Sequence, residues 1–155
     1  MDLYPLFEAL EATPVGAAIR ESVWLFPAIE AVHLLALALL GGAVLMLDLR
    51  LLGVGLAAQA TSAVERGARP WLIGAIATMI VTGALIGLSE AVKLHDKPAY
   101  WVKMAALATA LVFTFAVKLP LAHRDVAGLS AKALAVVSLA LWLTVALAGR
   151  WIGFS

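Results

Sequence analysis

Four long apolar stretches constrain the fold of this chain more than any other feature. They run over about residues 27–47, 70–89, 99–122 and 133–149. A helix needs roughly 20 mostly apolar residues, at about 1.5 Å of rise each, to cross the hydrocarbon core of a bilayer. Each stretch reaches that length when its flanking residues join the helix. The sequence therefore predicts an all-α integral membrane four-helix bundle in a single domain. Its helices are expected at about residues 24–50, 70–94, 99–122 and 131–151.

The composition agrees with a membrane location. Of the 155 residues, 64% are hydrophobic and only 14% are charged, whereas soluble domains carry roughly 25% charged residues. The predicted partner is the lipid bilayer, and a formal net charge of +1 gives no reason to expect nucleic acid. The chain has no cysteine. Thiolate metal sites, iron–sulfur clusters and cysteine nucleophiles are therefore excluded.

The first residues predict a short amphipathic helix at the membrane surface. Leu3, Leu6, Phe7 and Leu10 recur at helical spacing, and one apolar face of this kind suits the bilayer interface. Thr13-Pro14 is expected to end this helix. The first 23 residues are acidic and lack a basic segment followed by a continuous apolar core, so they do not read as a signal peptide.

Aromatic and basic residues suggest where the membrane boundaries lie. Most Trp and Tyr residues fall near predicted helix ends, where such side chains prefer the interface. Trp142 lies mid-helix and is expected to pack in the core. The first and third connections and their flanks carry six Lys or Arg residues, whereas the opposite side of the membrane carries four. This bias predicts both termini in the periplasm of a bacterial inner membrane.

Several polar groups are predicted to share one depth in the bundle. We call the end that holds the N-terminus the outer end. Glu30 and His33 on the first helix would lie roughly 5 and 10 Å below the outer boundary, given about 1.5 Å per residue. Glu90 and Lys103 fall about one turn below it, and His95 lies above them as a lid. Ionisable groups inside a membrane segment are candidate functional groups, so these five residues form a candidate site.

Simpler roles stay open for some of these residues. Lys103 could extend to the outer interface along its aliphatic stem. Glu90 could pair with Lys93 or Lys103, and Glu30 could pair with Lys103 or accept a hydrogen bond from the imidazole of His33.

A second group of charges is predicted at the inner end, where ion pairs would fix the helix ends. Its members are Asp48, Arg50, His123, Arg124 and Asp125. His33 and His123 should differ in depth by some 20 Å, at about 1.5 Å per residue. The two histidines are therefore not expected to ligate one iron.

Haem b is the cofactor that the outer group favours. A histidine that faces a helical bundle among small and aromatic residues is how membrane b-type cytochromes hold iron. On this interpretation His33 is an axial ligand, and Lys103, Lys93 or Lys97 pairs with the haem propionates. The second axial ligand stays open between His95, Lys103 and no protein ligand.

Two short motifs carry a resemblance to a known family. Glu30-Ala-Val-His33, with the apolar run after it, and Trp101-Val102-Lys103 resemble the first and third helices of the small bacterial membrane protoporphyrinogen oxidases. Those proteins are similar to the copper-resistance D-type membrane proteins, and the whole chain looks like a small bacterial four-helix membrane protein. The resemblance implies haem b, a porphyrin substrate, His33 as axial ligand, and Lys103 beside Trp101 as a porphyrin-contacting or catalytic residue.

Two other functions fit the same residues. A single transition-metal ion could bind to His33, His95 and Glu90, with Glu30 beside them, in a non-haem metal-binding or transport protein. Alternatively the protein could be a structural accessory subunit whose polar groups pair with one another. A redox function would require a membrane redox partner, and a homo-oligomer is also compatible with the sequence. Whether the protein is an enzyme is left open.

Overall fold

The protein is mostly helical in a computed structural model that describes residues 3–154. In chain order the elements are α1 (Tyr4–Glu11), α2 (Pro14–Glu21), α3 (Leu25–Leu52), α4 (Thr61–Ser89), α5 (Ala91–His95), α6 (Pro98–Val112), a π-helical segment (Phe113–Lys118), α7 (Leu119–His123) and α8 (Gly128–Ile152). The elements from α6 to α7 run on as one span, Pro98–His123. With α3, α4 and α8 this gives four helices long and apolar enough to cross a membrane. The predicted four-helix membrane bundle is confirmed.

The four spans form a bundle around two apolar clusters. Helix α3 packs against α4 and α8, and α6 packs against α8. The central cluster contains Leu40, Ala43, Val44, Leu72, Ala75, Ile76, Ala110, Trp142 and Val145. The inner cluster contains Leu47, Leu51, Val64, Leu119, Ala122, Ala131, Leu134 and Ala135. Helix α4 packs against α7 but makes little direct contact with α6. The second and third spans therefore meet at the inner end and diverge toward the outer end.

The N-terminal residues form two short helices that cover the outer end of α4. Helix α1 ends before Thr13, as predicted, and the Thr13 side chain caps α2 by accepting a hydrogen bond from a backbone N–H (3.2 Å). Helix α2 was not predicted. Arg20 donates to the backbone oxygen of Ser89 (3.1 Å), and Glu11 accepts from the first turn of α5 (2.8 Å). These bonds join the N-terminal helices to the end of α4.

The second span begins nine residues earlier than the sequence predicts. Residues 61–69 were expected to lie in a loop ending at Pro70, but α4 begins at Thr61 and Pro70 lies inside it. The backbone N–H of Ser62 is capped by the carboxylate of Asp125 (2.7 Å), which lies in the connection before α8. Because Asp125 lies 63 residues after Ser62, this cap leaves no signal in the sequence around the start of α4. The predicted end of this helix at residue 94 was also wrong, because α4 ends at Ser89 and the separate helix α5 begins after Glu90.

The π-helical segment of the third span has a cause in the sequence. Pro120 cannot donate a backbone hydrogen bond, and its ring would clash with the carbonyl four residues earlier in a regular helix. A π turn relieves this conflict, because its N–H groups bond five residues back, as Leu119 does to Thr114. Thr114 and Lys118 of this segment are both fully buried. Trp142 donates its indole N–H to Thr114 (3.2 Å) and is buried, which confirms its predicted place in the core.

The Asp125 cap generates a prediction about stability and pH. The backbone N–H and then the hydroxyl of Ser62 hydrogen-bond the carboxylate and lower the pKa of Asp125, with help from the charges of Arg66 and Arg50. A lowered pKa contributes stability that is present above the unfolded-state pKa and is lost as the pH falls through the folded-state pKa. Asp125→Asn should therefore lower the thermal unfolding temperature in detergent at neutral pH, and the difference from wild type should vanish in acid.

Asn suits this test because residue 125 has a positive φ of 54°, which Asn tolerates as well as Asp does. Glu8→Ala, at an exposed position on α1, is the control. An unfolding-temperature difference that stays constant between neutral and acidic pH would contradict the assignment of the effect to this carboxylate.

Candidate functional site

His33 on α3 is held by a defined hydrogen bond from the neighbouring span. Its Nδ1 lies 2.7 Å from the hydroxyl oxygen of Thr82 on α4. The Thr82 hydroxyl donates its own proton to the backbone oxygen of Thr78 (2.7 Å). Since a hydroxyl has one proton to donate, both contacts are hydrogen bonds at once only when Thr82 accepts from Nδ1 of His33. In that arrangement Nδ1 is the protonated nitrogen, and Nε2 keeps its lone pair.

Glycines lie against both polar side chains in this part of the bundle. A Cβ atom at Gly83 would lie 3.3 Å from Cε1 of His33, and one at Gly149 on α8 would lie 3.6 Å from Nζ of Lys103. The positive charge of Lys103 acts on the His33 imidazole across the bundle. Within residues 3–154, Lys103 has neither a hydrogen bond nor an ion pair. We call His33, Thr82, Gly83, Lys103 and Gly149 the outer site.

The remaining predicted members of the outer group lie elsewhere. Glu30 is exposed and makes no hydrogen bond or ion pair with the described residues, so its predicted pairing with Lys103 or His33 is wrong. Glu90 pairs with Lys93 (3.2 Å), one of its two expected partners. Of the five residues expected to share one site, the structure brings together His33 and Lys103.

His95 and Trp101 belong to an aromatic cluster at the outer end. The ring of His95 lies 2.9 Å from the carboxylate of Asp96 and packs edge-on against Tyr4 and Phe7 of α1. Trp101 donates its indole N–H to the backbone oxygen of His95 (3.0 Å). These contacts join α1 to the α5–α6 connection rather than to the outer site. Across residues 3–154, no group of three or more His, Asp or Glu side chains is placed to hold a metal ion.

The inner half of the bundle contains a buried polar triad that the sequence analysis missed. Asp48 of α3, Lys118 of the π-helical segment and Ser138 of α8 are all fully buried. Nζ of Lys118 lies 2.5 Å from Oδ1 of Asp48 and donates to the hydroxyl of Ser138 at 2.7 Å. That hydroxyl donates to Oδ2 of Asp48 at 2.8 Å. We call this closed ring the inner triad.

One signal in the sequence could have identified the triad. Asp48 lies four residues before the end of α3 and Lys118 lies five residues before the end of α7. At about 1.5 Å per residue both lie roughly 6 to 8 Å from the inner ends of their spans. Opposite charges at equal depth on two spans predict a pair. Lys118 was one of the six basic residues from which the orientation was predicted, and its burial between α3 and α8 was not predicted.

The other inner charges form separate contacts rather than the single cluster that was predicted. The buried carboxylate of Glu65 pairs with Arg69 (2.6 Å) and with the ring of His123 (3.2 Å). Arg50 donates to the backbone oxygen of Gln59 (2.5 Å), and no described residue pairs with Arg124. The partners of the two histidines, Thr82 and Glu65, lie about 25 Å apart along α4 at about 1.5 Å per residue. His33 and His123 thus lie at opposite ends, as predicted.

Comparison with known proteins assigns the family but no activity. A model described as a family of unknown function, DUF6644, matches residues 17–155. The chain belongs to this family. No curated protein and no solved structure matches the chain. The resemblance to the protoporphyrinogen oxidases and copper-resistance proteins therefore stays a prediction.

The inner triad predicts a non-additive response to substitution. Removing one partner of a buried ion pair leaves an uncompensated charge and costs about 3–5 kcal/mol, whereas replacing both partners by apolar residues is often neutral. Asp48→Leu and Lys118→Met should each lower the free energy of unfolding in detergent by about that amount. The double variant should recover most of the loss. A double variant whose loss equals the sum of the two single losses would show that the residues act independently.

Proposed function

We propose that the protein binds haem b in the outer half of the bundle through His33 and serves as a membrane redox or porphyrin-handling protein. The hydrogen bond from Nδ1 of His33 to Thr82 (2.7 Å) is the observation that carries this proposal. A metal-ligating histidine commonly donates its other ring N–H to a fixed acceptor, which sets the tautomer and the ring orientation. Thr82 does this for His33 and leaves Nε2 available to a metal.

The surroundings of His33 suit an anionic, flat ligand. Lys103 is a cation without a described partner and lies near His33, so it could pair with a propionate. Gly83 and Gly149 keep side chains out of the space beside the imidazole and the ammonium. Helix α4 also makes little direct contact with α6. Bound haem would supply a one-electron redox couple, tuned by its axial ligand and its burial.

The chain offers one histidine to such a cofactor. His95 and His123 also use Nδ1, toward Asp96 and Glu65, but His95 packs in the aromatic cluster against α1 and His123 lies at the inner end, so neither is placed at the outer site. We therefore infer that His33 is the only histidine ligand. A second ligand would be Lys103 or a molecule from outside the chain.

The two alternative functions have less support. A non-haem site made of His33, His95 and Glu90 would need the His95 ring to leave the aromatic cluster on α1 and Glu90 to leave Lys93. An accessory subunit would not need an anchored imidazole with an available Nε2. The proposed setting is a bacterial inner membrane with the outer site near the periplasm. The redox partner would be a membrane protein or a second copy of this chain.

The absorption spectrum tests the proposal. Protein purified in detergent and supplied with haem should show a Soret band that His33→Ala abolishes, because the axial ligand is lost. Thr82→Val should weaken haem binding by about 10- to 100-fold, which is the usual effect of removing the hydrogen-bond partner of a ligating histidine. His123→Ala is the matched control and should leave the band unchanged.

Two results would overturn the assignment. A Soret band that survives His33→Ala but is lost in His123→Ala would move the site to the inner end. Protein that stays colourless after haem is supplied does not bind haem, and metal analysis of that protein would then distinguish a metal site from an accessory subunit.

A further inference from the structure

We infer that the inner triad is a proton-binding site, with Asp48 as the group that takes up the proton. This site is separate from the outer site, since Asp48 and His33 lie about 22 Å apart along α3 at about 1.5 Å per residue. The inference does not depend on the proposed haem function.

The geometry of the triad already provides a short path for a proton. Nζ of Lys118, the hydroxyl of Ser138 and both carboxylate oxygens of Asp48 are joined in a ring by contacts of 2.5 to 2.8 Å. All three side chains are shielded from solvent. Each member of the ring can donate, accept or do both, depending on its protonation.

The ring leaves hydrogen-bonding capacity unused. The ammonium of Lys118 has three N–H groups, and its described partners are Asp48 and Ser138. The carboxylate of Asp48 can accept about four hydrogen bonds, but within residues 3–154 its contacts are these same two residues. Incomplete pairing makes a charge inside a membrane costly. The charged form of Asp48 is therefore only partly compensated, which favours uptake of a proton.

The other charged groups around the triad do not complete its pairing. On α4 and α7 the buried Glu65 is engaged with Arg69 and His123. Helix α8 contributes Ser138 and, at the inner rim, the exposed Lys132. Helix α3 contributes Arg50, which binds the backbone of Gln59. Lys118 is thus the one described cation that contacts Asp48.

The proton would come from the aqueous phase at the inner end. Lys118 lies five residues before the end of α7, which is about 8 Å at 1.5 Å per residue. Uptake forms an O–H bond on Oδ1 of Asp48 and breaks the ion pair between that oxygen and Nζ of Lys118. No electrons move, and the net charge of the triad rises from zero to +1. The ionic link between α3 and the third span is lost, while Ser138 still accepts from Lys118.

Infrared difference spectroscopy on the full chain in detergent tests this inference. Lowering the pH over the range in which the protein stays folded should produce the C=O band of a protonated carboxyl group. That band should be absent in Asp48→Asn. Ser138→Ala should move its midpoint to higher pH, because the carboxylate loses a hydrogen bond that favours the charged form. Glu65→Gln removes another buried carboxylate and should leave the band unchanged.

Three outcomes would overturn the inference. The first is the absence of an Asp48-dependent band while the protein remains folded. The second is a band that disappears in Glu65→Gln, which would assign the proton to the other buried carboxylate. The third is a midpoint that Ser138→Ala does not move. If Asp48→Asn does not fold, Ser138→Ala still tests the inference, because the Ser138→Ala variant keeps the charges of Asp48 and Lys118.

Discussion

The need to pair polar groups inside the bilayer governs the whole structure. Hydrocarbon offers no hydrogen bonds, so every charge and every backbone group in a span must find its partner within the protein. The bundle meets this need by packing the polar side chains of different spans against one another. Asp48, Lys118 and Ser138 come from three spans and meet in one ring, which ties those spans together more specifically than apolar packing can.

The outer site meets the same need less completely. His33 bonds to Thr82 through one nitrogen, but its second nitrogen and the ammonium of Lys103 have no described partner. Both groups lie in the outer half, where α4 and α6 diverge. This difference between the two halves underlies the proposed ligand at the outer site and the proposed uptake of a proton by the inner triad. A group that the protein leaves unpaired is a group that a ligand can pair.

The fold could be predicted from the sequence because its main determinant is local. Each span is a continuous apolar stretch, and the length of such a stretch alone decides whether it can cross a bilayer. The candidate site could be predicted only in part, because it depends on which faces of the helices meet. His33 and Lys103 were recognised as misplaced polar groups, and they do lie near each other. Thr82 and Ser138 were not recognised, since a hydroxyl in an apolar helix is common and gains a role only from its neighbour. The pairing of Lys118 with Asp48 was missed although their equal depth could have predicted it.

The central apolar cluster determines how the two polar regions can influence each other. Leu40, Val44, Leu72 and Ile76 fill the bundle between the outer site and the inner triad. The two sites lie about 22 Å apart, measured from His33 to Asp48 along α3 at about 1.5 Å per residue. Trp142 lies at the inner edge of the central cluster, where its indole N–H binds Thr114 of the π-helical segment. A movement of that segment is the most direct way for a change at Lys118 to reach the central cluster. A change at the inner triad that moved this segment would therefore reach the central cluster through the third span and α8.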